Sequence, residues 1–217
     1  MITKTDMLYL YVETPLHAGV GSGLSSIDLP IQRERATQYP MIQGSGIKGK
    51  LRSIAEDDAN LKSLVDIIFG PPAEAGKGSE HAGALAVGDA RILLFPVRSL
   101  NGVFASTTSY DVLERFKRDL LRGGTDNSNL WNVPPYNDDK KDTALVTMTS
   151  EVAVNNKVVL EEFSFDAQAD QQVNDIADWL ARNVLPNLNG STYWADKLTN
   201  SLVILPKDDF RDFVLYA

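Results

Sequence analysis

Apolar residues in this chain come in short pieces at two different periods, and no other feature of the sequence limits the fold as much. Leu8-Tyr9-Leu10-Tyr11-Val12 and Leu202-Val203-Ile204-Leu205 are runs of β-branched, aromatic and aliphatic residues; each predicts a strand, the second a buried one. Ala84–Ala90, Ile92–Phe95 and Gly102–Ser106 predict further strands, and Pro40-Met41-Ile42 a short one. Tyr110–Leu121 instead spaces Val112, Leu113, Phe116, Leu120 and Leu121 as one helical face and stops at Gly123-Gly124. Val173–Val184 repeats that pattern with Ile176, Ala177, Leu180 and Val184, and Trp179 on this helix is expected in the core. Leu61–Phe69 predicts a helix stopped by Gly70-Pro71-Pro72, and Asp208–Tyr216 a short one. Glu151–Phe165 alternates around Asn155-Asn156, a hairpin whose register the sequence leaves open. Thr125–Asp142 is polar with two prolines, and is expected to be a mobile excursion that carries Trp131 to the surface. Strands and helices interleave irregularly and nothing repeats, which gives the α+β class.

A chain of 217 residues is long enough to bury a core, and one domain with insertions is expected over residues 1–217. No apolar run reaches the roughly 18–20 residues that span a bilayer, and Met-Ile-Thr-Lys-Thr-Asp lacks the apolar core of a secretory signal. There is no cysteine, so thiolate metal sites, thiolate nucleophiles and disulfides are excluded. A cytoplasmic protein without a membrane partner is the expectation.

Acidic residues outnumber basic ones 29 to 21, for a net charge of −8, which taken alone opposes nucleic-acid binding. The distribution changes that. From Arg33 to Arg52 the charges are Arg33, Glu34, Arg35, Lys48, Lys50 and Arg52, a net +4, while acids gather in Glu56-Asp57-Asp58, Asp138-Asp139, Glu161-Glu162 and Asp208-Asp209. A basic track on an acidic chain suits a defined strand of RNA.

Within that track, Gly44-Ser45-Gly46-Ile47-Lys48-Gly49-Lys50-Leu51-Arg52 opens a helix whose Ile47, Leu51, Ile54 and Ala55 share a face, with Ser45 as its cap. Glycines and a serine at a helix start leave backbone N–H groups and the positive dipole end open to a phosphate, and Gly49 permits close approach of another backbone. Lys48 and Arg52 fall four residues apart on one side, with Lys50 off it. The spacing of Gly44 to Gly49-Lys50 matches a nucleotide-binding loop, but Leu51 stands where that loop needs a hydroxyl, so triphosphate hydrolysis is disfavoured. The glycines at 19, 21 and 23, with Ser22, Ser25 and Ser26, are by themselves equally what a long turn looks like.

Leu16-His17-Ala18-Gly19, Ile27-Asp28-Leu29-Pro30-Ile31-Gln32-Arg33-Glu34 and Gly44 through Arg52 together resemble the RAMP superfamily of CRISPR proteins. More narrowly they resemble the backbone subunits of type III-B (Cmr) effector complexes, and Asp89 through Leu100 and Leu160 through Phe165 extend the likeness over most of the chain. The resemblance implies a modified ferredoxin-like (RRM-like) core with inserted loops and a β-hairpin thumb. It implies stacked copies along a crRNA, other Cmr subunits as partners, and cutting of paired single-stranded target RNA at regular intervals. It implies that Asp28 is the catalytic residue, that cutting needs a divalent metal ion such as Mg2+ or Mn2+, and that the ribose 2′-hydroxyl is the nucleophile. Such proteins end in a glycine-rich loop, and none follows Leu205, so a missing C-terminal part is expected.

RNA contact is expected from His17, Gly19, Arg33, Arg35, Ser45, Gly46, Lys48, Lys50 and Arg52. Against these stand ordinary roles: Asp28 as a turn residue beside Pro30, His17 as a structural strand-end histidine, Glu34 as the partner of a nearby arginine, and His81 as an inert loop residue. Two other functions stay open: an RNA scaffold that does not cut, and a stand-alone enzyme that processes precursor RNA with a histidine base.

Overall fold

The computed structural model describes residues 4–19, 30–71, 81–135, 141–186 and 192–216. The chain forms two compact units, one of residues 1–15 and 92–217 and one of residues 16–91. Asp28 and most of the glycine-serine stretch around it lie outside the described residues.

The larger unit is built on a seven-stranded mixed sheet. Its strands are β3 (Phe95–Arg98), β4 (Phe104–Ser109), β5 (Thr143–Val146), β6 (Ala153–Val154), β7 (Lys157–Leu160), β8 (Phe163–Ala169) and β9 (Leu202–Leu205), in the order β3-β4-β9-β5-β8-β7-β6. All four side chains of β9 are fully buried, as its uninterrupted apolar run requires of a strand covered on both faces. Pairing of Val203 with Thr107 and Val146, and of Ile204 with Thr108 and Leu145, sorts the side chains into two layers. Leu202, Ile204 and Leu145 face a core made with α3 (Tyr110–Arg122), α4 (Gln171–Asn183) and α5 (Tyr193–Ser201) through Leu113, Phe116, Ile176, Leu180 and Leu198. The opposite layer lies toward α6 (Lys207–Tyr216), whose Phe210 and Val214 are buried and whose Phe213 meets Phe163 edge-on at 5.6 Å. The sheet curls back on itself: Ser99, just past β3, bridges to Leu160 of β7, and Leu100 N–H donates to the Val159 carbonyl at 3.1 Å. That closure shields an edge that would otherwise be open to pairing.

The α+β class is as expected, and the sequence-specific turns hold. Asn155 and Asn156 sit at φ 51° and 58°, the left-handed pair of a tight hairpin, which fixes Val154 opposite Lys157. Two expectations fail. Leu8–Val12 joins no strand ladder, and Leu8, Leu10, Tyr11 and Val12 are exposed, because β propensity without a neighbour to pair with does not make a strand. Tyr9 alone leans edge-on against Phe116, at 6.2 Å. Trp131 is not carried to the surface, though residues 126–129 are exposed: it is 4% exposed, stacked on Phe116 at 5.8 Å and edge-on to Trp179 at 4.6 Å, while residues 136–140 of the expected excursion lie outside the described residues. Three aromatic rings at these distances hold the segment more firmly than its prolines loosen it.

In the smaller unit β1 (Met41–Ile42) pairs antiparallel with β2 (Ala90–Arg91), and α1 (Gly44–Asp57) is followed by a single turn at Lys62–Leu64 and α2 (Val65–Phe69). Gly70, at φ 93°, ends α2 as predicted. The strands expected over 84–90 and 92–95 shrink to β2 and to β3 beginning at Phe95, because Ala84 and Leu85 spend their N–H groups on the carbonyls of Ile67 and Ile68.

Burial pushes the Asp209 carboxyl up from its ordinary range, and the neighbouring acids Asp212, Asp142 and Asp208 add to the effect. A carboxyl that is harder to ionise in the folded state adds stability at low pH and loses it as pH rises through its raised value. Asp209→Asn is therefore expected to raise stability at pH 7 and leave it nearly unchanged below the ordinary Asp range, as read by urea denaturation at both pH values.

Candidate nucleic-acid interface

The described parts of the 16–52 stretch meet at one side chain, Gln32. Its Nε2 donates to the Gly19 carbonyl at 2.8 Å, and its Oε1 accepts the Gln43 N–H at 3.0 Å. Gln32 N–H also donates to the Ala18 carbonyl at 2.7 Å, and Met41 N–H to the Gln32 carbonyl at 3.0 Å. With the bridges Gly19–Ile31 and Arg33–Pro40, these bonds tie the residues before position 20 to those after position 29 and fasten both to the start of α1. Nothing in the sequence marks Gln32 for this, since its partners are backbone groups 11 and 13 residues away.

The helix start differs from expectation. Gln43, not Ser45, is the capping position, and it contributes no side-chain bond. The cap comes from far along the chain: Asp89 Oδ1 accepts the Gly44 N–H at 2.8 Å. Gly46 N–H already donates to the Gln43 carbonyl at 2.9 Å, so most of the donors expected to face a phosphate are in use. A carboxylate at the positive end of the helix satisfies the same dipole that an anion would. The glycines also exchange roles. A Cβ on Gly44 would lie 2.3 Å from the Val87 carbonyl oxygen, whereas Gly46 and Gly49 face nothing within 4 Å. Close approach of backbone is therefore built in at Gly44, and the surface beside Gly46 and Gly49 is open.

Arg52 is committed internally. Its guanidinium bonds Glu56 at 2.8 Å, Asp66 at 3.0 Å and the Gly70 carbonyl, and the Glu56 bond foremost holds its pKa above the ordinary arginine value. It clamps α1 to α2, and Lys48, four residues earlier, is half-buried on the same side. Lys50 and Ser45 are exposed, and neither lysine has an ion-pair partner among the described residues. Arg33 donates to the Gln38 carbonyl at 2.9 Å, and Arg35 is exposed in the turn beside it. Glu34 lies 3.5 Å from Arg91 and accepts the Thr37 hydroxyl at 2.6 Å. His17 is exposed two residues before Gly19, and His81 sits by the Asp66 carbonyl at 3.2 Å. The structure thus assembles His17, Gly19, Arg33, Ser45 and Gly46 around the Gln32 knot, and leaves Lys50 on the open side of α1.

The sequence profile of the RAMP superfamily matches residues 9–188. The chain belongs to the RAMP superfamily. It is 41% identical over 212 residues to the CRISPR system Cmr endoribonuclease Cmr4 of Pyrococcus furiosus, covering 97% of this chain and 68% of that protein. The crystal structure of oligomeric Cmr4 from Pyrococcus furiosus superposes with a TM-score of 0.74 at 38% identity, over 95% of this chain and 70% of that one. A second crystal structure of Cmr4 gives 0.70 at 38% identity, over 94% and 69%. A cryo-EM structure of the type III-B Cmr-beta complex bound to cognate target RNA gives 0.56 at 19% identity, over 92% and 65%, which is likeness of fold alone.

Two glycine substitutions separate packing from open surface in this RAMP protein. Gly44→Ala is expected to destabilise by about 1–3 kcal/mol through its backbone clash. Gly49→Ala is expected to stabilise by about 0.5–1 kcal/mol, since it relieves a mid-helix glycine without a collision. Denaturant titration of the two variants side by side reads both signs.

Proposed function

We propose that this chain is the repeating backbone subunit of a type III-B CRISPR effector complex, binding crRNA and cutting paired target RNA at regular intervals. The observation that carries it is the 41% identity, across 97% of the chain, to a protein named a Cmr endoribonuclease. Base pairing with the guide supplies sequence specificity, and the protein reads backbone shape and phosphates.

The RNA strand runs along the open side of α1. Gly46 and Gly49 leave room for sugar and phosphate there, Ser45 and Lys50 supply a donor and charge, and half-buried Lys48 adds charge from the Arg52 side. Arg33, Arg35 and His17 extend the track across the 16–40 segment. Arg52 acts one step removed, by fixing α1 against α2.

Cutting is assigned to Asp28, carried on the loop whose ends Gln32 fastens. The target is cleaved when the ribose 2′-hydroxyl attacks the adjacent phosphorus and the 5′-oxygen leaves. Asp28 aligns that hydroxyl with the scissile phosphate, and most of the acceleration comes from holding the three atoms in line. A single carboxylate with phosphate oxygens and water is a donor set suited to Mg2+ or Mn2+, and such an ion would offset charge on the phosphate. Copies of the chain stack along the guide beside other Cmr subunits.

Lys50→Ala is expected to weaken binding of single-stranded RNA and to reduce the log–log salt slope by about 0.7, the loss of one phosphate contact. Fluorescence titration over a range of salt measures it, and an unchanged slope removes Lys50 from the track. In the assembled complex, Asp28→Ala is expected to slow target cleavage by about 100-fold or more while guide and target binding persist. Cleavage at the parent rate would leave the chain a scaffold that does not cut.

A further inference from the structure

We infer that Leu8–Val12 is an acceptor strand, which takes up a β-strand from the part of a Cmr4-like chain that this chain does not span. Two runs of the sequence share one character. Leu202-Val203-Ile204-Leu205 is apolar without interruption, is paired on both edges and is fully buried. Leu8-Tyr9-Leu10-Tyr11-Val12 is equally uninterrupted, the pattern of a strand covered on both faces. Only one of its faces is covered. Met7 and Tyr9 pack against the core that α3 and α4 build, whereas Leu8, Leu10 and Val12 are 60%, 46% and 53% exposed. A strand suited to water on that side carries polar residues there. The backbone is equally bare: among the described residues, no N–H or carbonyl of Leu8–Val12 has a hydrogen-bond partner, and the segment joins neither sheet. Five consecutive apolar residues without proline or charge, open along the main chain, are the template that an added strand needs. Because Met7 and Tyr9 already hold the segment against the core, pairing costs it little further ordering.

The occupant is a polypeptide strand rather than RNA. Asp6 and Glu13 flank the run and Lys4 is the only cation in residues 4–15, so a phosphate backbone finds no net attraction. The matched relatives point to the source of the strand. The chain aligns over 97% and 95% of itself but over only 68% and 70% of the Cmr4 chains, which leaves about a third of theirs without a counterpart. That third far exceeds the roughly 5–6 residues a strand needs. An apolar strand drawn from it completes the main-chain bonds of Leu8–Val12 and covers Leu8, Leu10 and Val12 in one step. Main-chain pairing of this kind does not require the two strands to be covalently joined.

Hydrogen–deuterium exchange on the purified 217-residue chain tests this without RNA, so the outcome is independent of the RNA-binding proposal. The added polypeptide consists of the residues of Pyrococcus furiosus Cmr4 that lie outside the 212-residue match. Alone, the chain is expected to exchange the amides of Leu8–Val12 at unprotected rates at every concentration. With the polypeptide in excess, amides in this stretch are expected to slow by about tenfold or more, as those of a paired strand do. Leu10→Pro removes a donor and opposes strand pairing, and is expected to lose the binding that Leu10→Val keeps. Leu10 is exposed and its backbone unbonded, so the circular dichroism of both variants is expected to match the parent. Protection in the chain alone would show the segment already paired, and protection that grows with the chain's own concentration would make a second copy the occupant. Either result overturns the inference. So does a polypeptide that fails to bind, that binds without protecting residues 8–12, or that binds Leu10→Pro as well as the parent.

Discussion

The smaller unit depends on one amide. A primary amide can donate and accept from a single planar group, and Gln32 uses both ends: one on the Gly19 carbonyl, one on the Gln43 N–H. An acid there would meet the Gly19 carbonyl with an oxygen in place of a donor, and an aliphatic side chain would leave the partly buried Gly19 carbonyl without this donor and hand the exposed Gln43 N–H to water. The amide sits between Gly19 and the start of the helix that holds Lys48 and Lys50. The short ladder around this side chain joins the segments on both sides of residues 20–29 to the start of α1.

What could be read from the sequence was local. The apolar run Leu202–Leu205 needs only two covered faces to become a buried strand, and the faces of α3 and α4 need only their helical period. Asn155-Asn156 fixed its turn because few other pairs tolerate two left-handed conformations in succession. What could not be read was long-range. Leu8–Val12 has strand composition without a ladder, since pairing depends on a neighbour that composition does not reveal. Trp131 is surrounded by polar residues and prolines in sequence, yet in space it lies between Phe116 and Trp179.

The candidate site follows the same division. The basic track and the glycine-rich helix start were legible, because charge and glycine content are local properties. Their division of labour was not. Asp89 caps a helix that begins 45 positions before it. Arg52, indistinguishable in sequence from a phosphate contact, meets Glu56 one turn on and Asp66 fourteen residues on. Gly44 and Gly49 look alike in sequence, and only the path of Val87 and Gly88 shows that the first is required by packing.

These placements change how an acidic protein can hold RNA. With the Gly44 and Gly46 donors in use and Asp89 already against the helix end, the N-terminal dipole has little left to offer a phosphate. On the function proposed above, the grip comes instead from cations without an ion-pair partner among the described residues and from a surface low enough for a sugar–phosphate chain to lie on. Exposed Lys50, the Ser45 hydroxyl and the bare stretch past Gly46 and Gly49 meet that need along one side of α1. Such a surface would contact backbone without addressing bases, as the proposed role along a guide of arbitrary sequence requires. The net charge of −8 is then no obstacle, because the acids gather in other parts of the sequence and limit where else RNA can settle.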